Sequence, residues 1–183
     1  MSTPDGTLVT RYGRGVFRRR PRNPSDVDAV AGNQPAMPSL ARRGLPDGGT
    51  QVLPSVGLVQ QLLDEFGLRH AIDSDGDLIV RWEKCTVYFF FYGDKNEVLQ
   101  ARLYLTRRFD VDDRNALIVL LDEWNRTRLF AKAYTILPDD GMVSVCAEQC
   151  HDFEGSTRAQ VKYAVAMWID ILLRFSDWID EQI

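Results

Sequence analysis

The sequence predicts one α+β domain in which a largely antiparallel sheet is combined with helices in the order α-ββββ-α-ββ-α. Three observations support this prediction. Apolar residues recur at helical spacing in three stretches, and runs of β-branched and aromatic residues lie between these stretches. Short turn sequences join consecutive strands, so neighbouring strands should run antiparallel. At 183 residues and 45% apolar composition, the chain can build one hydrophobic core and still leave a tail.

The first part of the chain differs in composition from the rest. Seven of the eight prolines and seven of the thirteen glycines fall within residues 1–54, and residues 1–53 carry eight arginines against four aspartates, a net charge of +4. Because the whole chain has a net charge of −4, residues 54–183 carry −8. Few large apolar residues occur in the first segment, so we predict a disordered basic arm over 1–53 and a folded domain over 54–183.

The charge distribution bears on possible partners. An acidic domain is a poor nucleic-acid binder, and the arm, with its Phe17–Arg22 cluster, offers at most weak contact with RNA or acidic lipid. A solubilising tail and a true start at Met37 are alternative interpretations of the arm. Three cysteines and the lack of a secretory apolar segment near the beginning predict a reducing, cytoplasmic location.

The domain is predicted to begin with a helix and a hairpin. Ser55 is a suitable N-cap for the helix and Gly67 a suitable stop. Apolar residues at helical spacing lie between them: Val56, Val59, Leu62, Leu63 and Phe66. Strands at 69–73 and 77–82 then flank the turn sequence Asp75-Gly76.

The aspartates of this turn also invite comparison with a calcium-binding EF-hand loop. Such a loop needs glycine at position six and a bidentate glutamate at position twelve. Counted from Asp73, Gly76 is at position four and Lys84 at position twelve. We therefore interpret the aspartates as hairpin-turn residues.

The rest of the sheet follows from residue type and alternation. Continuous aromatic and β-branched residues predict a strand at 86–92, and clean alternation predicts another at 98–108. A helix is expected at 112–125. Two more strands, at 132–137 and 142–149, are joined by a short Pro-Asp-Asp-Gly turn.

The last predicted helix, 157–179, opens with a capping box of Thr157 and Gln160. Its apolar residues spread around the helix rather than forming one stripe. This pattern predicts burial on two sides, either between layers of the domain or at a dimer seam, and we favour the dimer.

The predicted strands have apolar residues on both faces. If helices cover only one face, the other leaves an aromatic patch larger than a monomer normally exposes. A second protomer, a client peptide or the arm would then cover it, and the final helix is the alternative cover. This second face carries Tyr88, Phe90, Tyr92, Gln100, Arg102 and Tyr104.

Several segments resemble the YbjN domain family, whose members are described as sensory-transduction regulators, and in particular its actinobacterial branch. The resemblance covers about residues 55–181 and departs from the family at Asp122, where members usually have asparagine. Its most specific element is Glu-Trp-Asn-Arg at 123–126, followed by Lys-Ala-Tyr at 132–134. Other matching segments are Asp-Ser-Asp-Gly-Asp-Leu (73–78), Tyr-Phe-Phe-Phe-Tyr-Gly (88–93) and Val-Leu-Gln-Ala-Arg (98–102). The resemblance implies a fold similar to type III secretion chaperones, which are small dimeric peptide-binding proteins, and it implies no defined ligand.

The sequence offers only weak candidates for a catalytic or metal-binding site. Cys146 lies in the strand predicted at 142–149, and Cys150 and His151 follow it directly. Residues four apart along an extended strand are separated by about 13 Å. That separation is too long for one zinc ion, whose sulfur ligands lie about 2.3 Å from the metal, and too long for a disulfide. The sequence contains no nucleophile elbow, phosphate loop or dinucleotide fingerprint. We expect no enzyme activity, no metal and no cofactor.

The sequence therefore favours a cytoplasmic protein-binding adaptor or chaperone-like regulator, with an unknown client and a homodimeric state. A regulatory sensor for a small ligand and an RNA-associated protein are the alternatives. Arg126 and Arg128 follow Trp124 and could pair either with the helix dipole or with acidic groups of a partner. We expect Arg102→Glu or Tyr104→Ala to abolish binding without unfolding. The candidate contact residues are Arg81, Tyr88, Tyr92, Arg102, Tyr104, Arg126 and Arg128.

Overall fold

In the computed structural model, which describes residues 49–183, helices and strands follow one another in the predicted order. A short 3-10 turn, Val111–Asp113, precedes the second helix. The elements are α1 (Val56–Glu65), β1 (Ala71–Ile72), β2 (Leu78–Arg81), β3 (Cys85–Tyr92), β4 (Val98–Phe109), α2 (Arg114–Thr127), β5 (Lys132–Ile136), β6 (Val143–Asp152) and α3 (Arg158–Gln182).

The six strands form one open sheet in the order β1-β2-β3-β4-β6-β5, and every neighbouring pair is antiparallel. The first four strands form a meander. The ladder between β4 and β6 joins two strands that are distant in the sequence. It runs from Val98 opposite Asp152 to Phe109 opposite Val143, and its register shifts between Tyr104 and Arg108. The α+β prediction is therefore confirmed.

The main hydrophobic core lies between the helices and one face of the sheet. Fully buried side chains from the sheet, such as Phe89 and Leu103, belong to the same cluster as Leu62 of α1, Leu121 of α2 and Phe175 of α3. Helix α3 contacts β4 and β6 beneath it and α1 beside it. These contacts within one domain account for the apolar character that surrounds α3, and they place this helix away from the second face of the sheet.

The predicted caps and the hairpin turn are confirmed. The Ser55 hydroxyl accepts a hydrogen bond from the backbone N–H of Leu58 at 3.2 Å, and Thr157 forms the capping box with Gln160. The Asp73 carboxylate accepts the backbone N–H of Asp77 at 2.8 Å, and Gly76 has a φ of +84° in the same turn. The aspartates therefore shape the turn, as an aspartate that hydrogen-bonds its own backbone does.

Some boundaries differ from those predicted. Helix α2 continues to Thr127, because the Thr127 hydroxyl donates to the carbonyl of Glu123 at 2.7 Å and supports the last turn. The predicted boundary of the arm also shifts. Gln51 forms a β-bridge with Thr157, and the N–H of Val52 donates to the carbonyl of Ser156 at 2.8 Å. Both residues therefore already belong to the folded domain. Most of the predicted arm, 1–48, lies outside the described residues. Within 49–183, no helix is both long and apolar enough to span a membrane.

Candidate partner-binding sites

The face of the sheet opposite the helices carries a second, smaller apolar cluster. Tyr88 stacks on Phe90 with ring centroids 5.9 Å apart and meets Tyr104 edge-on at 5.4 Å. All three rings are buried, although no helix of the described part belongs to this cluster. We call this surface the second sheet face; its side chains are Ile79, Arg81, Tyr88, Phe90, Tyr92, Gln100, Arg102, Tyr104, Tyr134, Cys146 and Glu148.

A polar network crosses the second sheet face and is centred on Glu148. One carboxylate oxygen of Glu148 accepts hydrogen bonds from Arg102 at 2.9 Å, from Gln100 at 3.2 Å and from the Tyr134 hydroxyl at 2.5 Å. Arg102 also donates to Gln100 at 3.1 Å and to the Tyr104 hydroxyl at 3.3 Å. The guanidinium group is thus occupied by partners within the domain.

Two tyrosines of this network keep their protons over the ordinary pH range. Burial raises the pKa of Tyr104 to about 12. Burial, together with the hydrogen bond that it donates to Glu148, also raises the pKa of Tyr134. Both hydroxyls therefore stay neutral near pH 7, and the tyrosines do not make the network a pH switch.

Trp124 and Asn125 form a clamp between the end of α2 and β5. The indole N–H of Trp124 donates to the carbonyl of Ala131 at 2.9 Å. The side-chain amide of Asn125 donates to the carbonyl of Ala133 and accepts the N–H of the same residue, both at 2.9 Å. The interpretation of Trp124 as a core anchor is confirmed, since its side chain is buried. The motif fixes the edge strand to the helix.

Beside this clamp lies a cleft of about 450 Å³ between the loop after α2 and helix α3. Its floor includes Trp124 and Trp178, whose ring centroids are 5.2 Å apart. The loop supplies Leu129 and Phe130, which are 94% and 50% exposed. We call this site the corner cleft; it is lined by Trp124, Arg128, Leu129, Phe130, Ile171, Arg174 and Trp178.

Exposed arginines surround the corner cleft. The Arg128 guanidinium lies 5.5 Å from the centroid of the Trp124 ring and donates to the Thr127 hydroxyl at 3.3 Å. No carboxylate of residues 49–183 forms an ion pair with it. Arg174, which lines the cleft from α3, is paired with Asp170 at 2.9 Å but keeps 73% of its side chain exposed. The rim is therefore locally basic on an acidic domain.

The structure separates the seven predicted contact residues into two groups. Five of them, Arg81, Tyr88, Tyr92, Arg102 and Tyr104, lie on the second sheet face. Arg126 and Arg128 lie at the end of α2, in the helix layer. The expectation that Arg102→Glu and Tyr104→Ala would spare the fold needs correction, because both residues are built into the buried network.

Sequence reasoning missed several residues of these sites. Glu148 is the centre of the network, yet only the pairing of β6 with β4 places it opposite Arg102. Leu129 and Phe130 were overlooked, although two large apolar residues between Arg128 and a strand are a local signal for an exposed patch. Trp178 joins the cleft only because α3 packs against α2.

Within residues 49–183, the cysteines form no cluster with other potential metal ligands. Cys85 and Cys146 are buried, Cys150 is exposed, and all three are free thiols. Burial raises the pKa of Cys85 to about 12. Among the described residues, no group of three or more His, Cys, Asp or Glu side chains is arranged to hold a metal ion.

The fold and these surfaces define a small α+β domain with a clamped edge strand and an open cleft. The model of the YbjN family, described as "Putative bacterial sensory transduction regulator", matches residues 55–181, and the chain belongs to this family. A search of curated proteins finds no match.

The crystal structure of YbjN, "a putative transcription regulator from E. coli", is similar in fold. The TM-score is 0.59 at 17% sequence identity, and the alignment covers 73% of this chain and 97% of that one. At this level of identity, the similarity supports the fold. The family description names a regulator and no class of enzyme.

Proposed function

We propose that the protein is a regulatory adaptor that binds a segment of a partner protein in the corner cleft. The observation that carries this proposal is the exposure of two adjacent apolar residues, Leu129 at 94% and Phe130 at 50%, beside a cleft with a tryptophan floor. Large apolar side chains that cluster at the surface of a domain commonly mark an interaction site.

The positive charge at the rim of the corner cleft also supports a partner-binding role. Arg128 lies at the rim without an acidic partner in the described part of the chain. Arginine next to aromatic residues is a favoured combination at the energetic centre of protein interfaces. Part of its role is local, because a cation near the C-terminus of α2 is stabilised by the helix dipole.

The proposal is tested by substituting the exposed rim. We expect Leu129→Ser to weaken binding of an identified partner by about 2 kcal/mol through lost apolar burial, which is roughly thirtyfold in Kd. Partners are first identified by quantitative affinity capture from the native lysate with the full chain. The purified partner is then titrated against wild-type protein and Leu129→Ser by calorimetry.

Val119→Ser is the matched control, because Val119 is an exposed apolar residue on α2 that does not line the corner cleft. A partner that binds Leu129→Ser as tightly as the wild type would rule out the corner cleft. Melting temperatures of both variants that equal the wild-type value show that the fold is intact.

A sensor for a small ligand is the second candidate function. The cleft volume of about 450 Å³ lies in the range typical of small-molecule sites. A ligand in this cleft should raise the melting temperature and quench tryptophan fluorescence, because Trp124 and Trp178 line it. A partner protein that binds the purified chain without any added small molecule would favour the adaptor.

We also propose a homodimer in which the second sheet faces pack together. It is supported by the apolar side chains around the cluster that stay partly exposed, among them Ala71, Tyr134 and Ile136. Light scattering on the full chain should then give twice the monomer mass of 20.9 kDa. Ile136→Lys, at the half-buried rim, should shift the mass towards the monomer, whereas a monomeric wild type would contradict the proposal.

A further inference from the structure

We infer that the corner cleft selects a partner segment in which a large apolar side chain is flanked by carboxylates. This inference rests on the proposed adaptor function and names the chemistry of the partner. The cleft offers an apolar floor and a cationic rim from two different elements, the loop after α2 and helix α3. A ligand that satisfies both must combine an apolar anchor with negative charge.

The apolar floor of the corner cleft determines which side chain of the partner can bind there. Trp124 and Trp178 lie 5.2 Å apart at an interplanar angle of 47°, so they form a tilted wall rather than a flat stack. Ile171 and the exposed Leu129 complete the apolar lining. An aromatic or branched aliphatic side chain can pack on Trp178, Ile171 and Leu129, which stay at least partly exposed, and remove their apolar surface from water. A small or polar side chain would leave the lining without contacts.

The arginines at the rim of the corner cleft determine the charge that the partner segment must carry. Arg128, at the end of α2, and Arg174, on α3, both line the cleft. Arg128 is held over the Trp124 ring, which fixes its position without neutralising it. Arg174 shares its charge with Asp170 but remains largely exposed. Guanidinium groups bind carboxylates in a planar two-point geometry, so a carboxylate on each side of the anchor meets a prepared donor.

The net charge of the domain opposes an acidic partner at long range. Residues 54–183 carry −8, because the chain carries −4 and residues 1–53 carry +4. At long range, this domain attracts basic segments and repels acidic ones. Selection of an acidic segment must therefore come from the local arginines, and added salt should screen both effects.

Three short peptides provide the probe. All share a central Leu-Phe pair, and the flanking residues are glutamate in one, glutamine in the second and lysine in the third. Fluorescence anisotropy on the full chain should show the glutamate peptide binding about tenfold more tightly than the glutamine peptide. Replacing the central pair by Gly-Gly in the glutamate peptide should abolish binding.

Protein variants locate the effect. Arg128→Gln should remove most of the preference for glutamate over glutamine, and Arg128→Glu should transfer the preference to the lysine peptide. Arg114→Gln removes the same charge at the other end of α2 and should leave the preference unchanged. Anionic lipid vesicles are tested in parallel, and Arg128-dependent binding to vesicles with no preference among the peptides would overturn the inference.

The outcomes separate this inference from the adaptor proposal. Equal affinity for all three peptides, lost in Leu129→Ser, would overturn the charge selection while leaving the cleft as a protein-binding site. Tighter binding of the lysine peptide, or no binding of any peptide, would also overturn the inference. The partner titration with Leu129→Ser decides the adaptor proposal independently.

Discussion

Replacing Trp124 by alanine is expected to lower the free energy of unfolding by about 4 kcal/mol. The side chain is 4% exposed and lies 5.1 Å from Phe175, so its removal leaves a cavity between α2 and α3. It also breaks the hydrogen bond to the Ala131 carbonyl. Chemical denaturation followed by circular dichroism measures the loss. A change below 1 kcal/mol would show that the clamp does not anchor the domain.

Two matched variants divide this loss between its causes. Trp124→Phe keeps a ring but removes the indole donor, and we expect a loss of about 2 kcal/mol. Asn125→Ala keeps the core and removes only the two hydrogen bonds to Ala133, which we also expect to cost about 2 kcal/mol. If Asn125→Ala were neutral, the fixation of β5 would depend on packing alone.

Arg102→Glu is expected to destabilise the fold by about 3 kcal/mol. Arg102 and Glu148 are 22% and 15% exposed, so the pair is mostly withdrawn from water. The substitution removes the partner of one carboxylate and places a second carboxylate beside it, which is costly at low local dielectric. Denaturant unfolding of the full chain gives the magnitude.

A charge-reversal cycle checks the cause. Glu148→Arg alone should be destabilising for the same reason, because it confronts Arg102 with a second cation. The double variant Arg102→Glu, Glu148→Arg should recover part of the loss through a reversed pair. If the double variant equalled the sum of the single losses, the two residues would not interact. The fold defect also makes Arg102→Glu unsuitable as a control for partner binding.

Local signals in the sequence account for most of the fold. Glycine and aspartate at 73–77 define the first hairpin, and the alternation in 98–108 defines β4, because these patterns depend on neighbours in the chain. The capping box at Thr157 likewise identifies the start of α3. Strong local chemistry leaves little freedom at these points, so the predicted elements appear in the predicted order.

The sites depend on contacts that no local pattern contains. Glu148 meets Arg102 through a register that joins residues 46 positions apart. Asn125 looked like a residue at a helix end, but its amide brackets the backbone of Ala133 on the edge strand. The corner cleft exists because the loop after α2 packs near α3. Alternation assigned side chains to faces correctly, whereas their partners required the tertiary structure.

The β4–β6 ladder has a consequence for how the chain folds. Even the paired residues that lie nearest to each other in the sequence, Phe109 and Val143, have the whole of α2 and β5 between them. By contrast, β3 and β4 are joined by a short turn. Pairings distant in the sequence form late, because the intervening chain must first lose its freedom. During synthesis, β4 therefore emerges before β6. The edge of β4 that pairs with β6 stays unpaired until β6 has been made. We expect nascent or truncated chains that end before β6 to be the aggregation-prone species of this protein.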